Sequence, residues 1–203
     1  LTIVRHRADQ ASPPQSKIDH PADRLSSQIQ PGRHATLRHP VPQDGPRITR
    51  LIAECPPLDR NSPYCNLLQC SDFAETCVVA ELDGAVVGWI SAYRPPARSD
   101  HLFVWQVAVS DKARGTGLAG RMLDSLLTLP AARGATALVT TITQDNPASW
   151  ALFEAFARRH AAQLDRAPRF ERDAHFGGAH ETEWEARIAP LPRPTAQTRG
   201  VFS

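Results

Sequence analysis

Nowhere in these 203 residues do apolar side chains run on long enough for a transmembrane helix, which needs roughly 18 in succession. The first residues also lack the apolar core of a secretory signal, so a cytoplasmic protein with no membrane partner is expected. The four cysteines, Cys55, Cys65, Cys70 and Cys77, include no C-x-x-C pair, and no H-x-x-x-H accompanies them. Zinc is therefore not expected, nor any other metal, and the cysteines read as reduced, mostly buried thiols. Strong charge of either sign is missing too. Lys and Arg total 23 against 21 Asp and Glu, a net charge of +2, which gives no electrostatic footprint for nucleic acid. There is no internal repeat.

What is present suits one core: 41% hydrophobic and 22% charged residues in a chain too short for two sizeable domains. Residues 1–34 and 191–203 are rich in Pro, Ser, Gln and Arg without apolar periodicity, and are expected to be a disordered extension and a flexible tail. Between them, 35–190 reads as a domain. "ATLRHP" can start a strand, and "DGPRITRLIAEC" has Ile48, Leu51, Ile52 and Cys55 near helical spacing before Pro56 and Pro57. "LDRNSPYCNLLQCSDF" is expected to be an ordered loop with helical turns. "TCVVAEL" and "AVVGWISAY", joined at Asp83 and Gly84, form the strongest hairpin signal, and "HLFVWQVAV" adds a third strand. A helix over 118–129, the strand "ATALVTTIT", a helix over "NPASWALFEAFARRHAAQL" and a last strand over "HETEWEARIAP" complete the order. The expected class is α/β (α+β), with a mixed, mostly antiparallel sheet flanked by helices.

Gly115, Gly117 and Gly120 stand in the spacing G-x-G-x-x-G between a strand and a helix, a pattern that lets backbone approach a pyrophosphate. A dinucleotide fold fits poorly. "SDKAR" separates Val109 from Gly115, the next acid, Asp145, lies beyond the following strand, and three strands in succession make a meander rather than a strand–helix alternation. No G-K-[ST] follows, so a P-loop is excluded as well. What remains is a row of N–H groups entering a helix N-terminus, preceded by Lys112 and Arg114.

"RGTGLA" satisfies R-x-x-G-x-A and thereby resembles the acetyl-CoA loop of the GNAT superfamily of N-acetyltransferases; "NPASWALF" resembles that superfamily's second cofactor motif. "PPLDRNSPYCNLLQC", "SAYRPP", "LFVWQVAV", "DNPASWALF" and "HETE", in this order, are similar to the diaminobutyrate acetyltransferases of ectoine biosynthesis, over about residues 36–190. The resemblance implies a GNAT fold, acetyl-CoA as co-substrate, and transfer of acetyl to the 4-amino group of L-2,4-diaminobutyrate. It also implies a homodimer. Acetylation of another small amine and a non-catalytic CoA-binding module are the alternatives, and a dinucleotide oxidoreductase is a formal third.

The same resemblance distributes roles. Val107, Ala108 and Val109 match the strand whose backbone pairs with the pantetheine arm. Backbone groups of Arg114, Gly115, Thr116, Gly117, Leu118, Ala119 and Gly120 match the pyrophosphate cradle, and Asn146, Ser149 and Phe153 fall in the second cofactor motif. Phe103, Trp105, Val107 and Val109 alternate on one expected strand face, a pattern that by itself suits a core; the resemblance, in which Trp105 precedes the cofactor template in "WQVAV", implies that Trp105, with Phe103, lines the acceptor pocket. An indole face can hold an ammonium by cation–π attraction of order 1 kcal/mol.

Asp59 and Tyr64 match acceptor-binding positions, and Glu181 and Glu183 lie in a segment carrying another. Strand alternation would put both glutamates on one face and His180 on the other. Asp59, Tyr64, Glu181 and Glu183 are the candidate acid–base groups, because an amine nucleophile must lose a proton and a departing thiolate must be stabilised or protonated. Phe153 stands where many GNAT enzymes carry a general-acid tyrosine, which leaves Tyr64, Cys65 or water for that proton.

Overall fold

The computed structural model describes residues 34–56 and 58–192. The expected N-terminal extension, apart from His34, lies outside the described residues, as does the tail beyond Pro192. Twelve elements form the domain: β1 (Thr36–Arg38), α1 (Gly45–Ala53), α2 (Pro63–Cys70), β2 (Val78–Leu82), β3 (Ala85–Tyr93), β4 (His101–Val109), α3 (Leu118–Leu126), β5 (Ala137–Thr143), α4 (Pro147–Arg159), β6 (Gln163–Phe170), α5 (Arg172–Phe176) and β7 (Glu183–Ala189). The strands make one sheet in the order β1-β2-β3-β4-β5-β7-β6. Only β4 and β5 run parallel, so the sheet is mixed and mostly antiparallel as expected.

Alternation of side chains across the strands divides the core between two faces. Val78, Ala80, Ile90 and Val104 pack with Leu118, Met122 and Leu126 of α3 and with Phe153 and Phe156 of α4. Val79, Trp89 and Ala108 point the other way, onto Ile48, Leu51 and Ile52 of α1. The hairpin is built as its sequence demands. Asp83 and Gly84 both take left-handed φ values, 51° and 75°, the two-residue geometry that matches strand twist. The four cysteines are free thiols, three of them buried, and burial pushes Cys70 and Cys77 up to about 12. Among the described residues no helix is long and apolar enough to cross a membrane, and no cluster of His, Cys, Asp and Glu could hold a metal ion.

Four boundaries depart from expectation. The segment expected to be a loop with helical turns contains α2, because Ser62 accepts the Cys65 N–H at 3.1 Å and Pro63 occupies the first turn. The helix over 118–129 ends at Leu126, although Leu129 still buries. The helix drawn through Leu164 ends at Arg159, and Gln163–Phe170 forms β6, with α5 after it. β6 is an edge strand that pairs only with β7 and is largely exposed, so its sequence carries no apolar period to betray it. Leu191, assigned to the tail, is buried in the main core and donates its N–H to Thr136 at 2.9 Å.

One ion cluster ties the first strand to the hairpin. The Asp44 carboxylate is buried and receives Arg38 Nη1 and Nη2 at 2.6 and 2.9 Å, Arg47 Nη1 at 3.1 Å and the Val41 N–H at 3.0 Å. Arg38 also reaches Glu81 on β2 at 2.6 Å. Burial works to raise the Asp44 pKa, but the Arg38 bonds, the Val41 N–H and the Arg47 charge outweigh it and hold the carboxyl below its usual range. A depressed folded-state pKa contributes stability that is present at neutral pH and is lost as pH falls through it. Asp44→Asn is expected to cost roughly 2 kcal/mol, because it removes the buried anion and leaves Arg38 and Arg47 to share Glu81, and to flatten the acid side of the stability–pH curve. Denaturant titrations of both proteins between neutral pH and pH about 3 check this; parallel curves would contradict it.

Candidate active site

The parallel ladder between β4 and β5 is short. His101, Leu102 and Phe103 pair with Ala137, Leu138 and Val139, and there the pairing stops although β4 runs on to Val109 and β5 to Thr143. Beyond Phe103 the two strands part. Each keeps its outer neighbour, β3 for β4 and β7 for β5, so the facing backbone edges of both are left without a strand partner among the described residues. An unpaired interior edge in a sheet is an extended hydrogen-bonding template, suited to a linear amide-bearing ligand.

A β-bulge lies beside the opening. Ser91 pairs with Gln106 and Ala92 with Val104, which leaves Trp105 as the extra residue on β4. The bulge reverses the alternation after it. Phe103 therefore faces one side of the sheet with Gln106 and Ala108, while Val107 packs into the α3–α4 core and Val109 rests against it. The expectation that Phe103, Trp105, Val107 and Val109 share a face is thus corrected. Trp105 is 44% exposed, stands edge-on to Tyr93 with centroids 6.2 Å apart, and lines a cavity of about 80 Å³ with Gln69, Phe73, Ser91 and Tyr93. Phe103 is buried against Tyr93, Ala137 and Val139.

At the open end of β4 stands the glycine loop. Gly115 and Gly117 both have φ of +74°, and a Cβ on Gly115 would meet nothing within 4 Å. Among the described residues no side chain caps α3, and its first backbone bond is Arg121 N–H to Gly117 C=O at 3.1 Å. The amides of Leu118, Ala119 and Gly120 precede that bond and make up the positive end of the helix. Arg114 is ion-paired to Asp111 at 2.7 Å and donates to the Val109 carbonyl at 3.3 Å. Arg121 bonds the Thr116 carbonyl at 2.7 Å, and Arg159 reaches across from α4 to Asp124 at 3.1 Å beside Gly120. Sequence reading missed Arg121 and Arg159 as cations near the loop, and only the packing of α3 on α4 places Arg159 there.

The second cofactor motif takes other work. Asn146 caps α4 by accepting the Ser149 N–H at 3.1 Å, Ser149 is buried, and the Phe153 ring is wholly enclosed in the core. Phe153, expected in the cofactor motif, packs its ring between α4 and the sheet.

On the opposite face, two of the acid–base candidates, Asp59 and Glu183, converge on His180, which sequence reading does not put forward for that role. His180 Nε2 lies 3.9 Å from Asp59 Oδ2 and 3.9 Å from Glu183 Oε1. Glu183 is only 8% exposed, and its Oε2 is buried with no hydrogen-bond partner among the described residues. A buried carboxylate oxygen without a donor is costly unless a ligand supplies one. His180 Nδ1 lies 2.7 Å from the Glu181 carbonyl, which can only accept, so in the neutral ring Nδ1 carries the hydrogen and Nε2 presents its lone pair toward the two carboxylates. The expected separation of His180 from the glutamates is therefore corrected. β7 begins at Glu183, so residues 180–182 precede the strand and its alternation does not govern them.

The remaining candidates lie apart. Glu181 is exposed, 3.5 Å from Arg172, and lines an open cavity of about 410 Å³ with Gln144, Asp145, Thr182 and Trp184. Tyr64, on the first turn of α2, is 69% exposed and touches none of the Asp59–His180–Glu183 group among the described residues. Asp59 is held by its backbone, its carbonyl accepting from Gln106 Nε2 at 2.7 Å. Gln106 Oε1 in turn accepts from Asn61 at 2.9 Å, Asn61 reaches Asn66 at 3.3 Å, and Asn66 bonds Thr49 on α1 at 2.8 Å. This buried chain of amides anchors the Asp59 segment to the strand beside the bulge, and nothing in its residue types signalled that role.

A model of the acetyltransferase (GNAT) family matches residues 46–157. The L-2,4-diaminobutyric acid acetyltransferase of Methylotuvimicrobium alcaliphilum is 50% identical over 156 residues, which cover 77% of this chain and 91% of that protein. The enzyme of the same name from Vibrio cholerae is 47% identical, covering 75% of this chain and 88% of its own. Among solved structures, the diaminobutyrate acetyltransferase EctA from Paenibacillus lautus, in complex with its substrate L-2,4-diaminobutyric acid and coenzyme A, superposes with a TM-score of 0.76 at 36% identity. That match covers 81% of this chain and all of the other. The parted strands, the glycine loop and these relatives agree: the chain belongs to the GNAT family of acetyltransferases, within its group of L-2,4-diaminobutyric acid acetyltransferases.

Proposed function

We propose that this protein transfers acetyl from acetyl-CoA to the 4-amino group of L-2,4-diaminobutyrate, giving 4-N-acetyl-L-2,4-diaminobutyrate, the step its relatives contribute to ectoine synthesis. The observation that carries the proposal is the combination of a backbone template and amide-lined loop on one side of β4 with a buried Glu183 whose Oε2 lacks a donor among the described residues on the other. The residues fit coenzyme A. The unpaired edge of Val107, Ala108 and Val109 suits the pantetheine amides, and the N–H groups from Gly115 to Gly120 suit the pyrophosphate. When bound, the co-substrate supplies the acetyl group as a thioester.

The chain's own groups handle the amine. An ammonium cannot attack a carbonyl, so it must first give up a proton. Glu183 Oε2 accepts an N–H of the entering amine, and His180 Nε2 receives the proton. The carboxylates of Asp59 and Glu183, each 3.9 Å away, stabilise the imidazolium that forms. Trp105, left as the extra residue of the bulge and 44% exposed, offers an indole face that suits the acceptor's ammonium. Phe153 has no proton to give, and it is out of reach in the core.

A homodimer in the cytoplasm belongs to the same reading. It is supported by the exposed apolar side chains Tyr64, Leu67 and Phe73 at α2 and by four free thiols that suit a reducing compartment.

Thiol release from acetyl-CoA in the presence of the diamino acid, with mass spectrometry of the product, tests the reaction; acetylation at the 2-amino group, or no release, would refute it. Glu183→Gln and His180→Asn are each expected to lower kcat about 100-fold or more while the KM for acetyl-CoA stays within a few-fold, measured by steady-state kinetics. Gly115→Ala, which forces a side chain into a left-handed φ, is expected to weaken coenzyme A binding about tenfold by calorimetry. Binding equal to the parent would remove the loop from the cradle.

A further inference from the structure

Glu185 follows Glu183 by two positions on β7, so both project from the same face with Cα atoms ~6.6 Å apart. Its surroundings are the reverse of those of Glu183. Arg98 lays Nη1 and Nη2 on its two oxygens at 3.0 and 3.1 Å, and Arg169 Nη1 meets Oε2 at 3.0 Å. Burial works to raise the Glu185 pKa, but the Arg98 bonds and the charges of Arg98, Arg169 and His101 pull it below the usual range, so it is ionised at neutral pH. Two permanent cations therefore share one anion. Asp100 also faces Arg98, but it is exposed and bonded to His101 and Thr136.

The surplus falls on Arg169. Glu185 is its one anionic partner among the described residues, and the 3.0 Å bond is the one hydrogen bond it makes there, although a guanidinium has five N–H donors. Its side chain is 23% exposed, so the guanidinium is partly enclosed and partly open to an incoming ligand. The guanidinium lies 5.0 Å from the centroid of Phe103 and 5.2 Å from that of Phe170, which fixes its plane. Phe103 in turn adjoins Tyr93, which adjoins Trp105.

On one face of β7 the structure thus sets an acceptor without a donor, Glu183 Oε2, two residues from Glu185, which holds the Arg169 guanidinium of the neighbouring β6. A ligand that satisfies both carries an amine at one end and a carboxylate a few ångströms away. We propose that Arg169, steadied by Glu185, Arg98 and Phe103, is the subsite that binds the α-carboxylate of the acceptor, and that it makes the enzyme selective for diamino acids over plain diamines. This rests on the acetyl-transfer reading above. Arg169 binds and orients; it takes no part in proton transfer. Arg98 is a positioning residue, since both of its terminal nitrogens are already committed to Glu185.

The test compares L-2,4-diaminobutyrate with propane-1,3-diamine, the same chain without the carboxylate, in steady-state acetylation by the full-length protein and its variants. The parent protein is expected to prefer the amino acid in kcat/KM. In Arg169→Gln its kcat/KM for the amino acid falls about 10- to 100-fold, the range of a charge-assisted hydrogen bond, and the preference shrinks by a similar factor. Arg169→Lys keeps the charge without the planar fork and falls between the two. Arg98→Gln frees the Glu185 carboxylate to hold Arg169 more tightly, and also reduces the preference. A parallel fall for both acceptors marks Arg169 as merely structural and overturns the subsite, as does a preference that survives in Arg169→Gln and Arg169→Lys. A parent protein that acetylates neither acceptor overturns the acetyl-transfer reading itself.

Discussion

Everything functional in this fold depends on two adjacent parallel strands ceasing to pair. β4 and β5 are joined by only three residue pairs before they part, while each remains anchored on its outer side. In an ordinary sheet the lost backbone hydrogen bonds would be restored by sliding the strands together. Here the bulge at Trp105, the packing of α3 and α4 on one face and that of α1 and α2 on the other hold the gap open. A wedge of unpaired backbone in the middle of a core is expensive to maintain unless something occupies it. That cost is the physical sign of a ligand.

The two sides of the wedge are specialised by charge. The α3 side is built from main-chain amides and guanidiniums, which favour a diphosphate. The opposite side holds Asp59, His180 and Glu183, which favour an amine, and next to them Arg98 and Arg169 around Glu185, which favour a carboxylate. In the proposed reaction, a cationic acceptor and an anionic carrier would thereby be drawn to opposite faces of the same strand. The buried amide chain from Gln106 through Asn61 and Asn66 to Thr49 keeps the Asp59 segment in place although the Asp59 side chain itself is 82% exposed. Glu183, the most enclosed of the three, sits on a strand rather than on a loop, which holds its carboxylate rigid.

Features set by local chemistry were legible. The Asp83–Gly84 hairpin, the glycine loop and the Asn146–Pro147 helix start each need particular residues at particular offsets, and each stands where the sequence put it. Features set by long-range partners were not. β6 has no apolar period because it lies exposed at an edge, so its residues resemble the end of the preceding helix. The bulge at Trp105 adds one residue to a run that otherwise alternates, and only the register with β3 reveals it. Of the two glutamates in "HETE", the strand boundary alone buries Glu183 and leaves Glu181 outside.

The sequence by itself determined the family, the order of nearly all the elements and the glycine loop at the start of α3, because these follow from nearest-neighbour stereochemistry and from motifs a few residues long. The tertiary structure alone decided which side chains meet at the candidate site. His180 meets Asp59 across more than a hundred residues, and Arg169 meets Glu185 and Phe103 from a strand with no pattern of its own. Such encounters arise from sheet order and register. A shift of one residue there turns a buried carboxylate to solvent, and no local rule foretells it.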